Sequence, residues 1–411
     1  MRELLIRFLA FGLVSLLLAA CALTEPESPE PEPRAAVPAP ACPAPPAATL
    51  VPPAPAAPAP ESSARSAAPN WFDLKAQGLG SWTELEKPLR RSLASLESRP
   101  QEGIALRRGS LRLTWGDLAQ SARELLELLP RLDQEPGLVA ERFQWLAVQP
   151  APLMTAYCTP EIPASLTQGK GYEYPLYGPP PELAQADTPG ELPAWPGAAP
   201  EGASRGAVDA VGTFAGRGLE IAWARDPLDV FYVQVEGAGR LRLPDGHVRT
   251  AQYAASNGRS FRSISSILCE RGLLPPERRS RKEVRRFFRD NPHLATELMA
   301  ENRRFVFFRL DDGPPLGALN RPLTPLVSVA TDPSLLPLGS VLVLDAEIPD
   351  PSGRGLRRIR GPVLAQDVGV AIRGPRLDLY MGAGAAAEDA SERVKTPVAA
   401  YLLLSKAVAA R

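Results

Sequence analysis

Histidine is almost missing from this chain of 411 residues. His247 and His293 are the only two, and neither has a neighbouring ligand candidate. No Cys/His spacing therefore suggests zinc, and no Ser-His-Asp arrangement for a protease is apparent. Neither a metal nor any other cofactor is expected. Net charge is missing as well, with 46 Lys and Arg against 46 Asp and Glu. A nucleic-acid-binding protein needs a basic footprint, so no nucleic acid is expected as a partner. Aromatic residues are only 6% of the chain. Ligand recognition should then rely on polar contacts and backbone amides as much as on ring stacking. Long apolar runs are absent beyond the first twenty residues. The run there, Leu9 to Ala20, is too short to span a bilayer comfortably.

That first run is read as a processing signal, with Arg2 and Arg7 ahead of the apolar stretch. It ends in Leu18-Ala19-Ala20-Cys21, which resembles the lipobox of bacterial lipoproteins. The resemblance implies that Cys21 is lipidated and begins the mature chain. Ala22 stands where retention in the inner membrane usually needs Asp, so an outer-membrane, periplasm-facing anchor is expected. Residues Glu25 to Asn70 are about one third proline, mixed with Ala, Glu and Ser. Such a stretch buries no core and favours extended polyproline conformations of ~3.1 Å per residue, a tether reaching away from the membrane. With Cys21 lipidated and Cys42 in this linker, Cys158 and Cys269 remain, expected as two isolated, mostly buried thiols.

The ordered part is expected from Trp71 onward. Ser81-Trp82-Thr83-Glu84 reads as a capping box before a helix carrying Leu85, Leu89, Leu93 and Leu96 on one face. Thr114 to Asp117 reads as a second helix start. After Pro150 short strands follow: Phe231 to Val235, Arg240 to Leu243, Phe305 to Phe308, Pro325 to Ala330, Ser340 to Leu344 and Pro362 to Gln366. One more helix begins at the capping box Ser280 to Glu283, and its many arginines, Arg278 to Arg289, read as a solvated face, with attraction of acidic peptide stems as the alternative. Helices first and strands later predict an α+β fold, mainly β, with a barrel as its core.

The stretch most suggestive of chemistry is Ala365 to Tyr380, where Asp367 and Asp378 sit among apolar residues and glycines. In a strand, Asp378 would point away from Leu377 and Leu379, toward a pocket where desolvation tunes its pKa. This segment resembles the closing motif, D-x-G-G-A-I-x-G then D-[LI]-Y, of the three-aspartate "3D" domain of the membrane-bound lytic transglycosylase A family. The first aspartate of the three would be Asp332, before Leu336-Pro337-Leu338-Gly339. Earlier blocks match in order: Ala156 to Pro160, Tyr174 to Tyr177, Asp229 to Gly239, Asp245-Gly246, Tyr253, Asn257-Gly258, Phe305 to Phe308 and Gly317-Ala318. The chain departs from the pattern at Cys158 (usually Tyr), Glu236 (usually Gln) and Val370 (usually Gly).

The resemblance implies a double-psi-type β-barrel with N-terminal helices and a second, inserted β-barrel domain. The catalytic domain would be 71–175 with 313–411, and the insert 176–312. It further implies a peptidoglycan lytic transglycosylase with Asp378 as the single acid/base and Asp367 as its partner. Tyr157, Thr159, Tyr177, Gln234, Gly237, Gly239, Asn257, Gly258 and Asp332 would bind substrate or shape the groove. For Asp332, Asp367 and Asn257-Gly258 structural turns are the competing reading, and for Tyr157, Thr159 and Tyr177 core packing is. The expected partners are peptidoglycan glycan strands, the outer membrane and complexes of the cell-wall machinery. The alternatives are a non-catalytic peptidoglycan-binding envelope lipoprotein on the same fold, and a hydrolase.

Overall fold

The computed structural model describes residues 49–51, 71–183, 203–350 and 355–409. Cys21, Cys42, the signal run and most of the 25–70 linker lie outside the described residues. Within the linker, Thr49–Val51 forms a strand, β1, rather than polyproline. Ser81 caps a short turn, Trp82–Leu85, by accepting the Thr83 N–H at 3.1 Å. Glu84 reaches back to the Gly80 N–H at 2.8 Å, so the expected box is shifted by one residue. Helix α1 (Glu86–Glu97) follows, with Leu89, Leu93 and Leu96 buried. Pro88 falls in its first turn, where the missing N–H had no intrahelical partner to lose.

A hairpin of β2 (Ile104–Arg108) and β3 (Leu111–Thr114) leads into α2 (Trp115–Leu132). Here the capping box is complete: Asp117 N–H donates to Thr114 Oγ1 at 3.1 Å, and Thr114 N–H to Asp117 Oδ2 at 2.8 Å. After α3 (Leu138–Arg142) come β4 (Phe143–Gln149), β5 (Leu153–Thr159), β6 (Glu161–Ser165) and β7 (Tyr174–Tyr177). Then follow β8 (Glu220–Ala224), α4 (Pro227–Glu236), β9 (Ala238–Arg242), β10 (Val248–Ser256), α5 (Ile264–Glu270), α6 (Arg281–Asp290), α7 (Ala295–Ala300) and β11 (Val306–Asp311). The C-terminal part holds β12 (Ser328–Ala330), β13 (Val341–Pro349), β14 (Leu356–Asp367), β15 (Arg376–Ala383), α8 (Ala385–Glu392), β16 (Lys395–Pro397), β17 (Ala399–Ser405) and α9 (Lys406–Ala409).

The strands form two main sheets, in the orders β1-β4-β17-β13-β14-β12-β15-β5-β16 and β11-β10-β9-β6-β8-β7. Strand outweighs helix, in keeping with the expected α+β, mainly β class. The pairings give each sheet two edges, so barrel geometry rests on the resemblance rather than on the hydrogen-bond ladders. Only Pro160 separates β5 from β6, and the chain passes there from one sheet to the other. The larger sheet packs its leucines (Leu342, Leu344, Leu364, Leu377, Leu379 and Leu402) with α1 and α2 into one core. Each fully buried leucine contributes roughly 1.5–3 kcal/mol.

Two expectations are corrected. Phe231 to Val235 is not a strand but the middle of α4. The segment is apolar almost throughout because the helix is buried on two sides: Val230 and Val233 join one core cluster, while Leu228, Phe231 and Tyr232 join another. Its start and stop signals are plain in hindsight. Asp226 accepts the Leu228 N–H at 2.8 Å, Pro227 opens the helix, and Gly237 closes it at φ 76°. Nor is the arginine face of α6 wholly solvated. Arg281 is largely buried and pairs with Glu236, Glu388 and Glu392, while Arg285 pairs with Asp229 at 2.6 Å. The two guanidiniums lie 4.6 and 5.3 Å from the Tyr232 ring.

Candidate active site

Strand order brings the two central aspartates together. Ala330 on β12 pairs with Asp367 on one side and Asp378 on the other, so the carboxylates flank it on adjacent strands. Two strand spacings put their backbones roughly 10 Å apart. Strand β5 runs parallel to β15 with Thr155 opposite Asp378 and Tyr157 opposite Tyr380. Alternation turns Leu377 and Leu379 into the core and leaves Asp378 on the cavity wall, as the sequence predicts.

The two acids are held differently. Asp367 Oδ2 accepts the Tyr157 hydroxyl at 2.6 Å, and Oδ1 accepts the N–H groups of Ala318 and Val368, each at 2.9 Å. Asp378 takes one hydrogen bond from the described residues, Thr155 Oγ1 to Oδ1 at 2.6 Å. Burial pushes Asp367 up to about 6 against the opposing pull of its three donors. Burial pushes Asp378 up to about 7; Thr155 opposes this and the charge of Glu236 adds to it. A carboxyl that changes charge near neutrality can give and take back a proton at one atom.

Both acids line a cavity of about 410 Å³, whose walls come from β5, β14 and β15 on one side and from α4, β10 and β11 on the other. Volume and mixed lining suit a small ligand or part of a longer one. Tyr157, Gln234 and Gly237 reach the wall as expected. Thr159 does too, although buried, and its hydroxyl meets the Tyr380 hydroxyl at 3.0 Å. Glu236 also lines the cavity, tied to Arg281 from α6. Cys158 is a buried thiol and Cys269 a partly buried one, both free. Burial pushes Cys158 up to about 12, so it is a poor nucleophile. Val370 takes its place without positive φ and so carries no strain for the lost glycine.

Five predicted residues stand away from the cavity wall. Tyr177 packs its ring with Phe214 and Phe305 in a buried aromatic cluster. A Cβ on Gly239 would lie 2.7 Å from Val233, so this glycine serves close packing of β9 on α4. Asn257 is buried: its amide donates to Ala203 O and Arg303 O, and its Oδ1 accepts the Phe305 N–H. Gly258 turns the chain beside it at φ 69°. Asp332 accepts the Gly374 N–H at 2.7 Å and the Ser334 N–H at 2.9 Å, fastening the loop between β14 and β15. Burial would raise its pKa, but these bonds outweigh that and hold it below the usual range.

Some residues at the site carried no expectation. Thr155 lies two positions before Tyr157, on the same face of β5, and strand alternation alone marks it. Arg205, Arg304 and Arg309 reach the cavity through distant chain segments that no local pattern links, and Arg376, two positions before Asp378 on β15, reaches it by strand alternation. Gly202 to Gly206 has the Gly-x-Ser-x-Gly spacing of a serine-nucleophile elbow. Ser204 is buried there, while His247 and His293 are exposed elsewhere, so no triad forms.

Fold and site together define a strand-rich α+β protein whose two sheets enclose an aspartate-bearing cavity. A model of the MltA specific insert domain matches residues 153–309, and one of the 3D domain matches residues 327–404. Membrane-bound lytic murein transglycosylase A of Vibrio cholerae is 32% identical over 239 residues, 56% of this chain and 60% of that protein. Its namesake in Escherichia coli K12 is 32% identical over 235 residues, 56% of this chain and 59% of that protein. The chain thus spans about 60% of the length of these curated relatives. Among solved structures, the membrane-bound lytic murein transglycosylase from Agrobacterium tumefaciens aligns with TM-score 0.68 and 29% identity, covering 84% of this chain and 96% of that one. E. coli MltA with bound chitohexaose shares the fold at TM-score 0.60 and 24% identity, covering 78% and 90%. This chain belongs to the MltA family and carries its 3D domain.

Proposed function

We propose that this protein is a lytic transglycosylase that cleaves the bond between N-acetylmuramic acid and N-acetylglucosamine in peptidoglycan without water. The observation that carries the reading is the inequality of the carboxylates on the cavity wall. Asp378 is desolvated and lightly hydrogen-bonded, whereas Asp367 is bonded through both oxygens and Glu236 is paired with Arg281. Glycosidases that use water or a covalent intermediate need two working carboxylates. One suffices when the attacking hydroxyl belongs to the substrate itself, because proximity replaces the second group.

In this mechanism protonated Asp378 gives its proton to the glycosidic oxygen, and N-acetylglucosamine leaves with the bonding pair. The Asp378 carboxylate then takes the proton of the muramoyl C6 hydroxyl as that oxygen bonds to C1. The product is a 1,6-anhydromuramoyl end, and Asp378 is again protonated. Asp367, fixed by Tyr157 and two backbone amides, shapes the field beside it. Tyr157, Thr159, Gln234 and Gly237 face the glycan. Cys21 would carry the lipid that holds the chain on the periplasmic side of the outer membrane, within reach of cell-wall machinery. Names of the relatives, which are membrane-bound murein enzymes, support this reading.

The test is incubation with purified sacculi followed by mass analysis of released fragments. Anhydromuropeptides from the wild type, lost in Asp378→Asn, are expected. Absence of any release would sink the proposal.

A further inference from the structure

The cavity has two electrical ends. Asp367 and Asp378 stand with Arg376 on the β14–β15 side, whereas Arg205, Arg304 and Arg309 stand on the side of α4 and β11, where Glu236 is paired with Arg281. Arg205 is fully engaged. It donates to Asn302 O at 3.1 Å, Arg304 O at 3.0 Å and Gln234 Oε1, and it pairs with Asp209 at 3.5 Å. A guanidinium has only donors, so Arg205 fixes the orientation of the Gln234 amide: Oε1 faces Arg205, and Nε2 faces away. Gln234 is 3% exposed, it lines the cavity, and its Nε2 has no hydrogen-bond partner among the described residues. A buried donor left unpaired costs about 1–3 kcal/mol, which an acceptor entering the cavity would relieve.

Arg304 and Arg309 lie on the same wall without a carboxylate partner among the described residues. Arg309 donates to Tyr253 O at 2.8 Å and to Asn320 Oδ1 at 3.2 Å. Arg304 donates to Arg259 O at 3.4 Å and meets the Tyr253 side chain. Several other arginines in this half of the molecule are paired with acids, as at Arg262–Glu301 and Arg285–Asp229. With Asp209 taken up by Arg205 and Glu236 by Arg281, Arg304 and Arg309 present donors and positive charge that no carboxylate among the described residues pairs with. A neutral sugar, whose hydroxyls both donate and accept, would not need such a wall. A carboxylate, which only accepts and carries negative charge, matches it.

We propose that Arg304, Arg309 and the Gln234 amide form an anion site for carboxylates of the peptide borne by the glycan. The proposal rests on the reading of the cavity as a peptidoglycan site and names which part of that substrate its basic end takes. Such a site would make the enzyme read the stem peptide as well as the sugar chain, and binding would weaken with salt.

The experiment is calorimetric titration of the detergent-solubilised full chain carrying Asp378→Asn, so that no turnover occurs. Three ligands are compared: chitohexaose, a peptide-bearing muramoyl tetrasaccharide, and the same tetrasaccharide with its peptide carboxylates converted to amides. Amidation is expected to weaken binding about tenfold. Arg309→Gln should erase that difference, Arg309→Lys should restore part of it, and chitohexaose affinity should move less than twofold. Equal binding of acidic and amidated ligands overturns the proposal. So does an Arg309→Gln loss that is the same for chitohexaose. Failure to bind any of the three ligands would instead overturn the glycan reading, and the anion site with it.

Discussion

The two walls of the cavity treat charge in different ways. On the larger sheet, Asp367 and Asp378 flank Ala330 within an apolar setting, and neither is in an ion pair among the described residues. Around the smaller one, arginines and acids meet in networks. Arg281 joins Glu236 of α4 to Glu388 and Glu392 of α8, and Arg285 holds Asp229. The difference teaches where proton chemistry can sit. A guanidinium pulls a neighbouring carboxyl down against the push of burial, whereas Asp378, with one hydroxyl as its hydrogen-bond partner among the described residues, is pushed up to about 7. Glu236 lies where the two regimes meet. Its burial raises its pKa even against the pull of Arg281, and its charge adds to the rise of Asp378.

The largest expected effect comes from removing the unpaired acid. Asp378→Asn should lower release of glycan fragments from sacculi by about 10³-fold or more while circular dichroism stays unchanged. Next is removal of the shared cation. Arg281→Met would leave three buried or half-buried carboxylates facing one another, costing about 3–5 kcal/mol in urea unfolding. Adding Glu236→Gln to that variant should recover part of the loss. A smaller effect is expected at the hydroxyl that steadies Asp378. Thr155→Val should slow cleavage by roughly tenfold and raise the pH at which activity falls, because that bond stabilises the ionised form.

In the wild type that fall should centre near pH 7, where the proton on Asp378 is lost. The same shift has a stability consequence of known sign. The folded pKa lies above the unfolded one, so the contribution is complete below about pH 4 and is lost as pH rises through about 7. Asp378→Asn should therefore gain thermal stability over the wild type at pH 8 but not at pH 4. The smallest effect belongs to Tyr177→Phe. Its ring sits in the core of the smaller sheet, so rate and stability should shift by less than ~0.5 kcal/mol.

Local patterns made the larger sheet legible. The apolar runs before Asp367 and around Asp378 form β14 and β15, and the Thr114–Asp117 box opens α2 as read. The smaller sheet's surroundings were less legible because burial on two faces hid the helical period of α4. The asymmetry recurs at the site. Asp378, Asp367 and Tyr157 come from ordered blocks, and the structure brings all three to one wall. Tyr177, Gly239, Asn257, Gly258 and Asp332 lie in similar blocks yet serve packing, turns and loop fastening. A motif marks a place in the chain; only the register decides which side chains of it face the cavity. The basic wall was invisible in sequence, since Gln234, Arg304 and Arg309 meet through tertiary packing alone.

Cleavage by a single acid whose partner is the substrate's own hydroxyl is tested most directly in labelled water. Sacculi digested in heavy-oxygen water should yield muramoyl ends with no label at C1, as 1,6-anhydro products. Label built into C1, with reducing ends in place of anhydro ends, would contradict the account and make the enzyme a hydrolase.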